Sequence, residues 1–217
     1  MSVKVGLKYI EIGNESMEDK ICEYEREPIV KGQIVLYGPS NFTRWSSAYG
    51  NLPARQALLG KSGAECVINR GFGSSCPEHQ LYYYSRMIKP LEPTVLVYSP
   101  FGNYPSFGYS VEEAWELAQR VIVYSKTDFP NLKIYLCGAY WKPNMNFTYL
   151  NDVKWARNTA KSFCEYFPDA VYVDPFSYEP LQNESLFIDD KVHFNKEGYE
   201  IYADFFRREL KLELDRF

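Results

Sequence analysis

The chain has 217 residues, with 24 Lys+Arg against 28 Asp+Glu, a net charge of −4 and 46% hydrophobic residues. This is the balance of a folded globular chain and excludes a disordered polyelectrolyte. No basic stripe suggests nucleic acid, and no run approaches the ~18 apolar residues of a membrane helix, so neither a nucleic-acid nor a membrane partner is expected.

Lysines interrupt the first ten residues, and no apolar core of a signal peptide follows them. Ser16, with Glu18 and Asp19 behind it, is expected to open a helix over 17–26. Residues 33–37 form a short apolar run stopped by Gly38-Pro39, as expected of a buried parallel strand. Similar runs follow at 65–69, stopped by Arg70-Gly71, and at 94–99, stopped by Pro100. Two more lie at 133–137, stopped by Gly138, and at 170–173, stopped by Asp174-Pro175.

Helical patterns separate these runs. Ser75 with Glu78 reads as a capping box for a helix over 77–89 that contains His79. Ser110 with Glu113 reads as another, followed by an apolar stripe of Val111, Ala114, Ala118, Val121 and Ile122. Val153, Ala156, Ala160, Phe163 and Phe167 make the next stripe. Asn195 is expected to cap the last helix, whose inner face is Tyr199, Tyr202, Ala203, Phe206 and Leu210. Trp45, Trp115 and part of Tyr82-Tyr83-Tyr84 are expected in the core. The five cysteines are odd in number and lack zinc or redox spacing, so we expect reduced, mostly buried thiols in a cytoplasmic protein.

No linker, repeat or composition break divides the chain, and a single domain over 1–217 is expected. Five strands with helical crossovers predict an α/β three-layer sandwich with a five-stranded parallel sheet. Ligands in such sheets bind at the carboxyl ends of the strands, which directs attention to the loops starting at Gly38, Arg70 and Pro100 and to the loop before the last helix.

The chain has two histidines, His79 and His193. Histidine is the commonest general base near neutral pH. His193 follows Asp190 by three residues, a spacing that lets the carboxylate fold under the ring and fix its tautomer. Ser40 follows the first strand directly and faces the expected crevice. Taken singly, Asp-x-x-His is also the pattern of a solvated surface pair, and a serine at 40 also serves as a helix cap. The segment is not a Gly-x-Ser-x-Gly elbow, because Phe42 stands at the second glycine, and no Gly-Lys-Ser/Thr follows as in a phosphate loop.

Taken as an ordered set, the segments resemble the SGNH (GDSL-type) esterase and lipase family. Tyr37-Gly38-Pro39-Ser40-Asn41 with Trp45 resembles its serine block. Val67-Ile68-Asn69-Arg70-Gly71-Phe72-Gly73-Ser74 resembles its glycine block. Asp190-Lys191-Val192-His193, continuing to Gly198-Tyr199, resembles its last block. The resemblance implies a flavodoxin-like SGNH hydrolase fold with Ser40 as nucleophile, His193 as base and Asp190 as its orienting group. It also implies an oxyanion hole made by the backbone N–H groups of Ser40 and Gly71 and the side chain of Asn103. No metal or cofactor is implied.

Two positions depart from the family pattern. Pro39 stands where the usual Asp would be. The Asn block reads Pro100-Phe101-Gly102-Asn103, which aligns Gly102 with the family Asn unless one residue is inserted; Asn103 is chosen because an amide donor is the useful group. The expected substrate is a small-molecule ester with a small acyl group, acetyl foremost. Phe101, Tyr104, Phe107, Tyr109, Tyr140, Trp141 and Phe147 are candidates for stacking on a carbohydrate, although a chain with 19 tyrosines also places them elsewhere. The alternatives are a degenerate module that keeps the fold and only binds, and a flavodoxin-like nucleotide or phosphate binder, which the lack of a Gly-rich phosphate loop disfavours.

Overall fold

A computed structural model describes residues 14–217; the opening residues read above as lacking a leader lie outside them. The chain runs α1 (Asn14–Glu25), β1 (Ile34–Tyr37), α2 (Ser40–Thr43), α3 (Ala54–Ala57) and β2 (Val67–Asn69). It continues α4 (Pro77–Met87), β3 (Val95–Tyr98), α5 (Val111–Asp128) and β4 (Lys133–Cys137). The last elements are α6 (Phe147–Tyr166), β5 (Ala170–Val173), α7 (Lys196–Glu209) and α8 (Lys211–Leu214). All five strands are parallel, in the order β2-β1-β3-β4-β5.

Apart from Asn69 at the end of β2 and Lys133 at the start of β4, the strands are apolar or aromatic, because both faces of the sheet are covered. Val35 and Tyr37, Leu96 and Tyr98, and Ile134 and Leu136 pack beneath α1, α4, α5 and α6. Their neighbours Ile34, Leu36, Val95, Val97, Tyr135 and Cys137 face the opposite way, toward α2, α3, α7 and α8. This two-residue alternation makes the three layers, and each fully buried Val, Leu or Ile contributes about 1.5–3 kcal/mol. Trp45 and Trp115 are buried, Trp45 against Tyr199, Tyr202 and Phe206, as expected. Tyr83 and Tyr84 are core residues, whereas Tyr82 is exposed.

The expected stripes on α5 and α7 are buried. Ser110 Oγ accepts from the Glu113 N–H while the Glu113 carboxylate accepts from the Ser110 N–H, which completes the expected capping box. Asn195 caps α7 by accepting the Gly198 N–H at 3.0 Å. The cap of α4 differs from expectation by one residue. Pro77 takes the first helical position, so Cys76 becomes the cap and His79 Nδ1 accepts its N–H at 3.2 Å. His79 is thereby structural: it is buried, with its ring edge-on to Phe107 at 4.7 Å. All five cysteines are free thiols; Cys66, Cys76 and Cys137 are buried.

The sheet order reverses at β1 and β3. From β1 the chain moves out to β2 on one edge; from β3 it moves to β4 and β5 on the other. The loops that follow β1 and β3 therefore diverge and leave a crevice between them at the carboxyl edge. No helix among the described residues is long and apolar enough to cross a membrane.

Candidate active site

Ser40 is the first residue of α2, directly after β1. Its segment is held from several sides. The Asn41 side chain donates to Tyr202 Oη at 3.1 Å, and Tyr199 Oη donates to the Asn41 carbonyl at 2.9 Å, so α7 fixes the turn that carries the serine. The Asn69 amide donates to the Phe42 carbonyl at 2.7 Å from the side of β2. As the leading residue of a helix, Ser40 has an N–H with no acceptor within the helix.

Asp190 and His193 share one tight loop. Phe187 and Phe194 form an antiparallel bridge at its base, and the Ile188 N–H donates to the His193 carbonyl at 2.9 Å. Lys191 takes a left-handed backbone (φ 57), which turns the chain within the loop. The Asp190 carboxylate accepts the Val192 and His193 N–H groups on Oδ1, each at 2.9 Å, and His193 Nδ1 on Oδ2 at 2.6 Å. A carboxylate only accepts, so Nδ1 carries the proton and Nε2 is the free base. Nε2 stands 2.8 Å from Ser40 Oγ.

The electrostatics follow from this geometry. Burial pushes the Asp190 carboxyl upward, but the hydrogen bonds from the His193 ring and from the two backbone N–H groups outweigh it and hold the group at about 2. His193 lies below the ordinary histidine range. Burial is the main cause; Asp190 opposes it, and the positive charges of Arg44 and Lys142 add to it. A neutral imidazole at neutral pH is the state a general base needs.

Asn103 lies in the cleft beside Ser40, in a left-handed conformation (φ 60), and its amide nitrogen donates one hydrogen to the Ser75 carbonyl at 3.1 Å. The second amide hydrogen remains for another acceptor. Gly102 lines the same cleft for a different reason: a Cβ there would lie 2.8 Å from Pro39 Cγ, so the absence of a side chain lets the β3 loop close on Pro39.

Gly71 departs from the expectation. Its N–H donates to Asn69 Oδ1 at 2.9 Å, and Tyr24 Oη donates to its carbonyl at 2.6 Å. A Cβ at 71 would lie 2.5 Å from Phe42 Cβ. Gly71 is thus a close-packing glycine under α2 with its donor already committed, and it does not line the cleft. Three residues on, Ser74 adopts φ 58 and sits next to the carbonyl that holds Asn103. The turn at 73–75 is therefore the part of the glycine block that reaches the site; a non-glycine residue forced into a left-handed turn has no signature in one sequence.

The cleft is lined by Ser40, Asn103 and Val192 together with Phe101, Tyr140, Lys142 and Tyr149, and encloses about 420 Å³ including its open mouth. Of the aromatic candidates, Phe101 and Tyr140 reach it, Tyr104 and Tyr109 are core residues, and Phe147 is exposed on the surface. Tyr149 and Lys142, which sequence reasoning missed, come from the stretch after β4. The residue that ends that strand, Gly138, was legible as a strand stop, and the loop behind it was the signal. Among the described residues, no three His, Cys, Asp or Glu side chains gather as metal ligands.

A parallel 2-1-3-4-5 sheet with a serine, a histidine and an aspartate joined at its switch point defines the SGNH, or GDSL-type, hydrolase fold, and the chain has that fold. No protein-family model and no curated protein sequence matches the chain. Solved structures do. A GDSL-like lipase from Bacteroides thetaiotaomicron superposes with a TM-score of 0.70 at 13% identity, covering 91% of this chain and 98% of its own. A psychrotrophic esterase from Pseudoalteromonas sp. gives 0.65 at 16% identity, covering 85% and 100%. A mutant of an acetyl-xylooligosaccharide esterase from Geobacillus Stearmophilus gives 0.62 at 14% identity, covering 85% and 96%.

Proposed function

We propose that the protein is a serine esterase that hydrolyses small acyl esters, acetyl esters foremost, through an acyl-enzyme on Ser40. The observation that carries this reading is the continuous line from Ser40 Oγ to His193 Nε2 and from His193 Nδ1 to Asp190 Oδ2, at 2.8 and 2.6 Å. A module that only binds has no need of this relay. The fold shared with esterases, one of them acting on acetyl-xylooligosaccharide, supports the same reaction class.

His193 Nε2 takes the Ser40 proton as Oγ attacks the ester carbonyl, and the imidazolium that forms is stabilised by Asp190. The negative oxygen of the tetrahedral adduct accepts from the Ser40 N–H and the free Asn103 amide hydrogen. Each such donor is worth about 2.7–4 kcal/mol in the transition state. Collapse breaks the bond to the alcohol oxygen, which takes the proton from His193. Water then attacks the acyl-Ser40 carbonyl with His193 again as base, which releases the acid and restores Ser40. The small volume of the cleft and its mixed lining, with Ser40, Asn41, Ser99, Asn103 and Lys142 beside Phe101 and Val192, suit a short acyl chain rather than a lipid tail.

The test is hydrolysis of 4-nitrophenyl acetate by the native protein and by Ser40→Ala in parallel. Turnover that falls to background in Ser40→Ala supports the reading. Equal rates for both proteins remove Ser40 from it, and no turnover on any short ester leaves a fold that only binds.

A further inference from the structure

We propose that the ester's alcohol portion carries an anionic group, a carboxylate or a phosphate, held by Lys142 with support from Arg44. The inference rests on the esterase reading and names the substrate class for that same site. The chain as a whole is acidic, with a net charge of −4, yet no Asp or Glu lines the cleft and Lys142 does. Lys142 comes from the loop after β4; its Nζ lies 5.3 Å from the Tyr140 ring centre and 5.1 Å from that of Tyr149, to whose hydroxyl it donates at 3.5 Å. Arg44 caps the C-terminus of α2 one turn after Ser40, its N–H donating to the Ser40 carbonyl and its guanidinium over the Tyr49 ring at 5.1 Å. Neither cation pairs with a carboxylate among the described residues. The other charges of this rim are spoken for: Asp190 is spent on His193 and two N–H groups, and Lys191 pairs with Glu184 at 3.0 Å.

A cleft whose lining offers a cation and no carboxylate carries a positive local potential that favours an anionic ligand. Lys142 lines the cleft together with Ser40, and the positive charges of Lys142 and Arg44 both help to lower the His193 pKa. The side of the cleft follows from connectivity. Tyr140, two residues before Lys142, donates its hydroxyl to the Val192 carbonyl at 2.8 Å, which ties the Lys142 loop to the His193 loop. The leaving alcohol oxygen must take its proton from His193, so the alcohol occupies the His193 side of the cleft, where Lys142 stands.

The experiment compares matched esters that differ in charge on the alcohol. 4-Acetoxybenzoate and 4-acetoxyphenyl phosphate are the anionic probes and 4-acetoxybenzamide the neutral one. Mono-4-nitrophenyl succinate against 4-nitrophenyl acetate places the charge on the acyl side instead. The native protein is expected to favour the anionic alcohols in kcat/KM by about 10-fold at low salt, with the preference shrinking as salt is raised. Lys142→Gln is expected to lower that ratio, and Lys142→Arg to restore it. Phosphate favoured over carboxylate, or the reverse, names the group. Equal rates on charged and neutral alcohols, a ratio that Lys142→Gln leaves unmoved, or a preference confined to the succinate ester overturns the inference while ester hydrolysis stands. If no ester turns over, the esterase reading fails separately, and calorimetric binding of the same probes to Ser40→Ala decides the subsite: charge-selective binding that is lost in Ser40→Ala/Lys142→Gln supports it, and indifference overturns it.

Discussion

His193 Nε2 meets Ser40 Oγ at 2.8 Å across 153 residues of chain. The serine arrives on the turn after β1 and the histidine on a loop packed before α7, and α7 itself anchors the serine turn through Tyr199 and Tyr202. The serine and the histidine are thus held by one shared scaffold rather than by two independent loops. Ser40→Ala and His193→Ala are each expected to reduce kcat on 4-nitrophenyl acetate by about 10⁴-fold or more, and the double variant to be little worse than either, because the two act as a unit. Steady-state kinetics on the three variants checks this; additive losses would argue for separate roles.

The pH profile follows from the direction of the His193 shift. The neutral ring is the active form, so activity is present above its pKa and lost as pH falls through it. That pKa lies below the ordinary value of 6.5, so the midpoint of the acid limb of kcat/KM is expected below pH 6.5. Arg44 and Lys142 contribute to the lowering, and Arg44→Gln or Lys142→Gln is expected to move the acid limb to higher pH. An acid limb that stays in place in both variants would contradict the assignment.

Asn103 needs a substitution that respects its backbone. At φ 60 an alanine would be strained, whereas a glycine adopts the conformation freely. Asn103→Gly removes the amide and keeps the turn. It is expected to lower kcat by about 10²–10³ with a smaller change in KM, the signature of a donor that acts in the transition state.

Gly71→Ala tests packing rather than chemistry. The added methyl would lie 2.5 Å from Phe42 Cβ and 2.6 Å from the Thr43 nitrogen, so α2 would have to shift. A loss of about 1–3 kcal/mol is expected, read as a lower Tm or a lower denaturation midpoint with unchanged m. An unchanged stability would contradict the close-packing role.

The fold was legible because its strands are short apolar runs closed by Gly or Pro, and a run buried on both faces looks like that in sequence. β4 and β5 coincide with the runs at 133–137 and 170–173, and the other strands are one or two residues shorter at their ends. Helix α1 begins at Asn14, two residues ahead of Ser16. Ser40, Asp190 and His193 were legible through the order of their motifs. What escaped notice depends on where atoms point. The spacing of the glycine block did not reveal that Asn69 takes up the Gly71 N–H, nor that Pro77 moves the α4 cap to Cys76. Lys142 and Tyr149 belong to no motif, and only the topology brings the loop after β4 to the Ser40 cleft.

The carboxylate of Asp190 grips two backbone amides and the imidazole at once. The posture of the base and the closure of its loop are therefore one event. Hydrogen exchange at the amides of Val192 and His193 becomes a clock for the seating of the imidazole. Slow exchange reports a ring held in register with Ser40, fast exchange a ring set loose, and the reading can be taken on the resting protein before any substrate is known.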